Sequence, residues 1–163
     1  MHKGELQQFD APETIYRRPA NIFVAGFMGS PAMNFIPAEI VAVDGGRAVR
    51  FPLLDGETAV LPLTRDHGQL AAGRAVVLGI RPEHIFRDHP DLRRSKPTVA
   101  PLTAPVEVVE PTGAETIAIL RFGGREVVGR FDPDTAPRMD EKLDLVIDMA
   151  HACLFDPETE RLI

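Results

Sequence analysis

The sequence predicts a mainly β domain, a small barrel or sandwich of short antiparallel strands, preceded by one or two short N-terminal helices. Two observations carry that expectation. Nine short runs with strand character follow Phe35, and turn dipeptides separate several of them. Fifteen prolines, spread through a chain with little helical periodicity, fit edges and corners, because proline removes a ladder donor.

The elements are expected in this order. Asp10 is placed to cap a first helix, with Glu13 closing a capping box and Pro12 tolerated in the first turn. Pro19 breaks that helix and opens a second, in which Ile22, Phe23, Gly26 and Phe27 share a face. Gly29 and Ser30-Pro31 stop it. Strands are then predicted at Phe35–Val43, Arg47–Pro52, Thr58–Leu63, Ala75–Ile80, Ala104–Glu110, Thr116–Phe122, Glu126–Phe131, Leu143–Met149 and Ala152–Phe155. Asp44-Gly45-Gly46, Asp55-Gly56, Thr112-Gly113 and Gly123-Gly124 supply turns. Arg65–Gly73 reads as a loop or a single helical turn. Phe86–Pro101, with three prolines and the charges RDHPDLRRSK, reads as a long exposed connection. Residues 1–34 are thus a helical linker, and 35–163 a β region in two intertwined halves, about 35–85 and 102–163.

Composition narrows the function. The chain has 163 residues, of which 44% are hydrophobic and 26% charged, enough for a core and unlike a disordered tail. Its net charge of −6 repels phosphate backbones and disfavours nucleic acid as a partner. The one cysteine, Cys153, cannot form an internal disulfide or a multi-thiolate metal site. The first ten residues lack the apolar run of a signal peptide, and the uncharged stretch 19–38 is broken by prolines and glycines, so no membrane span is expected.

Catalytic constellations are missing. No catalytic, cofactor-binding or metal-ligating residue is assigned and no cofactor is expected. No G-x-x-x-x-G-K-[ST] loop occurs, nor even a Gly-Lys pair. Neither Ser30 nor Ser95 lies in a G-x-S-x-G elbow. His84, Asp88, His89 and Asp91 cluster in sequence but read as a solvated polar loop. Glu107 with Glu110, and Asp132 with Asp134, read as surface carboxylates. Arg87, Arg93, Arg94 and Lys96 form a basic stretch diluted by Asp88 and Asp91. The phrase Arg81-Pro82-Glu83-His84 carries more weight. Pro82 ends the strand before it, which fixes Arg81 and Glu83 at a barrel rim. Arg81, Glu83 and His84 are therefore the candidate rim or ligand contacts, with a structural charge pair favoured over an anion or sugar contact.

A family likeness lies in five phrases: Gly4-Glu5-Leu6-Gln7-Gln8; Pro12-Glu13-Thr14-Ile15-Tyr16 with Pro19; FVAGFMGSPAMNF ending at Phe35; LGIRPEH ending at His84; and VEVVEPTGAET ending at Thr116. In that order they resemble the C-terminal part of ATP-binding subunits of sugar-importing ABC transporters of the maltose and glycerol-phosphate type. The likeness runs nearly the whole chain, and after Thr116 only as a pattern. It implies OB-type β-barrels, a TOBE or regulatory domain, that hold an ATPase dimer together, receive regulatory proteins in some members and bind oxyanions in related importers. It implies a homodimer formed mainly through barrel surfaces, with the subunit's own ATPase domain as neighbour, permease subunits as indirect partners and a regulatory protein as a further one. It also implies a cytoplasmic place, peripheral to the inner face of the bacterial plasma membrane through the transporter complex. The phosphate loop, signature sequence and catalytic glutamate strand are absent from these residues, so this polypeptide alone is expected not to hydrolyse ATP; a full-length subunit would. The first phrase normally follows the ATPase domain, and 1–34 would then be the linker from it, with Phe23, Phe27 and Met28 as ATPase-domain or partner contacts. The alternative is a small-ligand sensor for a sugar or oxyanion, using Arg81 or the Arg93–Lys96 loop. The transported solute is not legible, because the permease and binding protein select it.

Overall fold

A computed structural model describes residues 1–65 and 70–163. The predicted loop over Arg65–Gly73, and His67 within it, fall partly or wholly outside these residues. Among the described residues, two helices of six residues, α1 (Pro12–Arg17) and α2 (Ile22–Phe27), precede ten strands and one further short helix. The chain is mostly β, as its turn spacing predicts.

The strands form two antiparallel sheets. The first contains β1 (Asn34–Val43), β2 (Gly46–Pro52), β3 (Thr58–Pro62), β4 (Ala75–Ile80) and β10 (Cys153–Phe155), in the spatial order β10-β4-β1-β2-β3. The second contains β5 (Ile85–Arg87), β6 (Val99–Pro111), β7 (Thr116–Phe122), β8 (Arg125–Phe131) and β9 (Lys142–Asp148), in the order β5-β9-β6-β7-β8. Thus β10, near the C-terminal end, joins the sheet built from the first half of the chain.

Both sheets face one core. Ile36, Ile40 and Leu78 of the first meet Leu120, Phe122 and Leu145 of the second. Phe51 and Phe122 stack across the junction, with ring centroids 6.0 Å apart. Strand β7 shows the cause in its sequence. Thr116, Ala118, Leu120 and Phe122 are buried, and the residues between them are half-buried, as period-two side-chain alternation requires. Asn34 stitches the sheets together. Its amide donates to the Ile80 and Val128 carbonyls at 3.1 and 2.9 Å, and its Oδ1 accepts from Val128 N–H at 2.8 Å. A second cluster of Ala25, Met33, Cys153 and Phe155 seats α2 against the first sheet.

The prolines obey the edge rule. Pro37 lies where β1 has β4 on one side only, because β2 pairs from Glu39 onward. Pro101 and Pro105 lie in the part of β6 that pairs with β9 alone. Strand β6 changes partner from β9 to β7 at an irregularity between Val106 and Val108, a bulge that bends it around the barrel corner.

Three expectations are corrected. The capping box does not form. Ala11 is the N-cap of α1, no side chain caps it, and Asp10 Oδ1 accepts only from Ala11 N–H. The helix starts one residue later than the box requires: with Ala11 at the N-cap, Glu13 stands at the second helical position and not the third, from which a box closes. The stretch Phe86–Pro101 is not all connection. It holds most of β5, the helix α3 (Pro90–Ser95) and the start of β6. Pro90 occupies the first turn of α3, where its missing N–H costs nothing, and His89 caps the helix by accepting from Asp91 N–H. Nor are the basic residues there a free patch: Arg87 pairs with Glu141, Arg93 with Asp88, Arg94 with Asp91 and Lys96 with Asp148.

Among the described residues no helix is long and apolar enough to cross a membrane.

Candidate functional site

The rim phrase Arg81-Pro82-Glu83-His84 follows β4 directly and turns through a 3-10 helix at Pro82–His84. Proline has no donor to continue the ladder, so the chain leaves the sheet here and directs Arg81 back toward the N-terminal helices.

Arg81 is only 2% exposed. Its Nη1 donates to the Met28 carbonyl at 2.5 Å and its Nη2 to the Tyr16 carbonyl at 2.6 Å. The guanidinium carbon sits 3.6 Å from the centroid of the Tyr16 ring, a cation–π contact. The Tyr16 hydroxyl in turn donates to Glu83 Oε1. One side chain thus fastens the residue closing α2 (Met28) and the body of α1 (Tyr16) to the end of β4. Burial lowers the Arg81 pKa, with the Cys153 side chain acting the other way. Arg81 acts as a structural rivet through backbone carbonyls and the Tyr16 ring; among the described residues it forms no ion pair with Glu83.

His84 stacks on His151, with ring centroids 4.3 Å apart and planes 17° from parallel. Its Nδ1 is buried without a hydrogen-bond partner among the described residues. Desolvation, and then the positive field of His151, push its pKa from the ordinary 6.5 down to about 4, so the ring is neutral at pH 7. Nearby, Asp148 accepts from Thr98 Oγ1 at 2.8 Å, Lys96 Nζ at 3.2 Å and Ala150 N–H at 3.2 Å. Burial alone would raise its pKa; these hydrogen bonds outweigh burial and leave it below the usual carboxylate value. Burial raises the pKa of the Cys153 thiol, which keeps it in its unreactive neutral form.

Arg81, Glu83 and His84 meet in one cleft of about 360 Å³, together with Tyr16, Arg17, Arg18, Arg65, His151 and Cys153. The other three candidates lie apart from it. Phe27 is 78% exposed and stacks on Phe23, centroids 6.4 Å apart. Phe23 also meets the His2 ring at 4.3 Å, and Met28 is half-buried, tied to the rim through its carbonyl.

Several members of the cleft escape sequence reasoning. His151 stands 67 residues from His84, and nothing local signals their pairing. Tyr16 reads only as an apolar helix edge. The adjacent Arg17-Arg18 is the one sequence signal available. The carboxylates read as surface groups have structural partners: Glu107 is held by Arg121, and Asp132 accepts from Asp134 N–H in a turn. Among the described residues no group of three His, Cys, Asp or Glu side chains is placed to hold a metal.

Comparison with known proteins places this geometry. The family model for the MalK OB fold domain matches residues 29–85, and that for the TOBE domain matches 78–155. The chain is 44% identical over 161 residues to an uncharacterised ABC transporter ATP-binding protein, y4oS, of Sinorhizobium fredii, covering 98% of this chain and 38% of that protein. It is 40% identical to the trehalose/maltose import ATP-binding protein MalK of Thermococcus litoralis, covering 100% of this chain and 43% of the relative. It is 38% identical to the sn-glycerol-3-phosphate import ATP-binding protein UgpC of Chromohalobacter salexigens, covering 99% and 40% respectively. The chain spans about two fifths of the length of these curated relatives, and the matched part is their C-terminal part. The solved structure of the molybdate-bound form of the cytoplasmic molybdate-binding protein ModG is similar in fold. The TM-score is 0.56 at 21% identity, covering 76% of this chain and 96% of that one.

Proposed function

The chain belongs to the C-terminal OB-fold and TOBE domains of ABC transporter ATP-binding proteins, and from that premise we propose that it is a non-catalytic regulatory and dimerisation domain of an importer's ATP-binding subunit. The observation that carries this reading is the match of the whole chain to one part of those proteins. The names of two relatives concern trehalose/maltose and sn-glycerol-3-phosphate, which supports sugars or related solutes as cargo.

The geometry supplies a mechanism. Residues 1–34 would be the linker to the subunit's ATPase domain and 35–163 the regulatory domain. The exposed Phe27, stacked on the half-buried Phe23, offers apolar surface to that neighbour or to another partner, at a cost if left in water. Displacement of α2 moves the Met28 carbonyl, which Arg81 couples to the end of β4 and so to the core. Movement at the helices is thereby passed to the barrel without nucleotide being consumed in this domain. Permease subunits would be reached indirectly, at the cytoplasmic face of the membrane, and a regulatory protein would act on the barrel surface.

The test is a chimera in which this chain replaces the matching C-terminal part of the trehalose/maltose relative. Retained ATP turnover in a dimeric subunit supports the proposal. A folded chimera that stays monomeric and inactive speaks against it. A second reading, small-ligand sensing, is favoured by the cleft beside Arg81.

A further inference from the structure

The cleft at the barrel rim reverses the sign of the molecule. The chain as a whole carries −6, yet Arg17, Arg18, Arg65 and Arg81 line one concavity against, among the described residues, the one carboxylate of Glu83. Low-dielectric walls concentrate such a field and raise the local concentration of anions. The charges are also poorly compensated. Arg81 is buried with its donors on two backbone carbonyls, which leave its positive charge in place. Arg17 shares an exposed ion pair with Glu13 at 3.0 Å, which is weak in water. Arg18 and Arg65 are exposed and make no salt bridge among the described residues. His151 completes the wall, with 43% of its side chain exposed.

The size and the chemistry limit what fits. A volume of about 360 Å³ lies at the lower end of ligand sites, which run from roughly 300 to 1,000 Å³, so the occupant is small. Guanidinium forks match phosphate oxygens in pairs, and a dianion balances the excess charge better than a monocarboxylate. Glu83 is the selective element. It repels a bare anion, but beyond the bond from the Tyr16 hydroxyl it can accept hydrogen bonds from ligand hydroxyl groups.

We propose that this cleft binds a small phosphorylated polyol, with its phosphate on Arg17, Arg18 and Arg65 and its hydroxyls on Glu83. The site deepens the ligand-sensing reading and rests on it for its regulatory consequence only; binding itself requires neither pairing nor transport.

Calorimetry and thermal unfolding of this chain test it with glucose 6-phosphate, inorganic phosphate, sulfate and glucose as probes. Glucose 6-phosphate at millimolar concentration raises Tm and gives a salt-sensitive binding heat. Inorganic phosphate and sulfate bind more weakly, and glucose gives no signal. In R18Q/R65Q the dissociation constant for glucose 6-phosphate rises about tenfold or more, as expected for losing charge-assisted contacts. R125Q, at the exposed β7–β8 turn, binds as the unaltered chain does. If R18Q/R65Q does not fold, R18K serves instead: it keeps the charge, removes the fork and weakens binding several-fold. No response to glucose 6-phosphate overturns the proposal, as does unchanged affinity in the folded arginine variants. Inorganic phosphate or sulfate binding as tightly as the ester removes the role given to Glu83 and overturns the ligand class. Sedimentation reports pairing separately, so failure of binding and failure of the dimerisation reading are distinguishable.

Discussion

Replacing Arg81 with methionine tests how the N-terminal helices are held. Methionine fills similar space but has no donors. The substitution removes two hydrogen bonds from a charged group, at 2.5 and 2.6 Å, and a cation–π contact at 3.6 Å. Bonds of this kind contribute about 1.5–3 kcal/mol each. Against that loss, the variant no longer buries a charge, which returns part of the energy. A net destabilisation of about 3 kcal/mol is expected, which for a chain of this size lowers Tm by roughly 6–12 °C. The damage should be local first. Hydrogen exchange should accelerate at the amides of α1 and α2 before the amides of β1 and β7 respond. The assay is thermal unfolding by circular dichroism, paired with hydrogen-exchange mass spectrometry. A variant whose Tm stays within about 2 °C of the original, with unchanged protection in both helices, refutes the rivet.

Three further outcomes follow from the same structure. N34A should cost about 2–3 kcal/mol in urea unfolding, because it strips the bonds to the buried Ile80 carbonyl and to the half-buried Val128 backbone; a loss under about 0.5 kcal/mol contradicts the stitching role. The His84 pKa is about 4 in the folded chain against 6.5 for an ordinary histidine, so the unfolded chain binds the extra proton between those values. Its contribution is therefore present above pH 6.5 and lost as pH falls toward 4; the groups facing it are His151, Asp148, Lys96 and Arg81. H84Q should flatten the urea midpoint over that window, and identical pH profiles would contradict the assignment. F27S should leave Tm within about 1 °C, since the ring is 78% exposed, while suppressing concentration-dependent association beyond the proposed dimer, as read by light scattering.

Local chemistry made much of the fold legible. Strand β7 alternates, Gly123-Gly124 supply the positive φ values of +64° and +69° that the β7–β8 hairpin requires, and both can be read from residue type. The prolines of β1 and β6 announced one-sided strands. Strand β5 was not legible, because three residues give no period to detect, and α3 was hidden because Pro90 serves equally as breaker and first helical residue. The site was legible in its anchor only. Pro82 marked where Arg81 leaves the sheet, but the partners of Arg81 are carbonyls 53 and 65 residues away, and a carbonyl carries no side-chain signature. His151 reaches His84 only because β9 and its following turn return to the end of β4, a long-range pairing without a local pattern.

Sedimentation velocity of this chain at tens of micromolar is the most direct measurement of the self-pairing role. The proposed function predicts a dimer that F27S leaves intact, because it assigns the pairing to barrel surfaces and not to the α2 face. A folded chain that sediments as monomer throughout that range contradicts it.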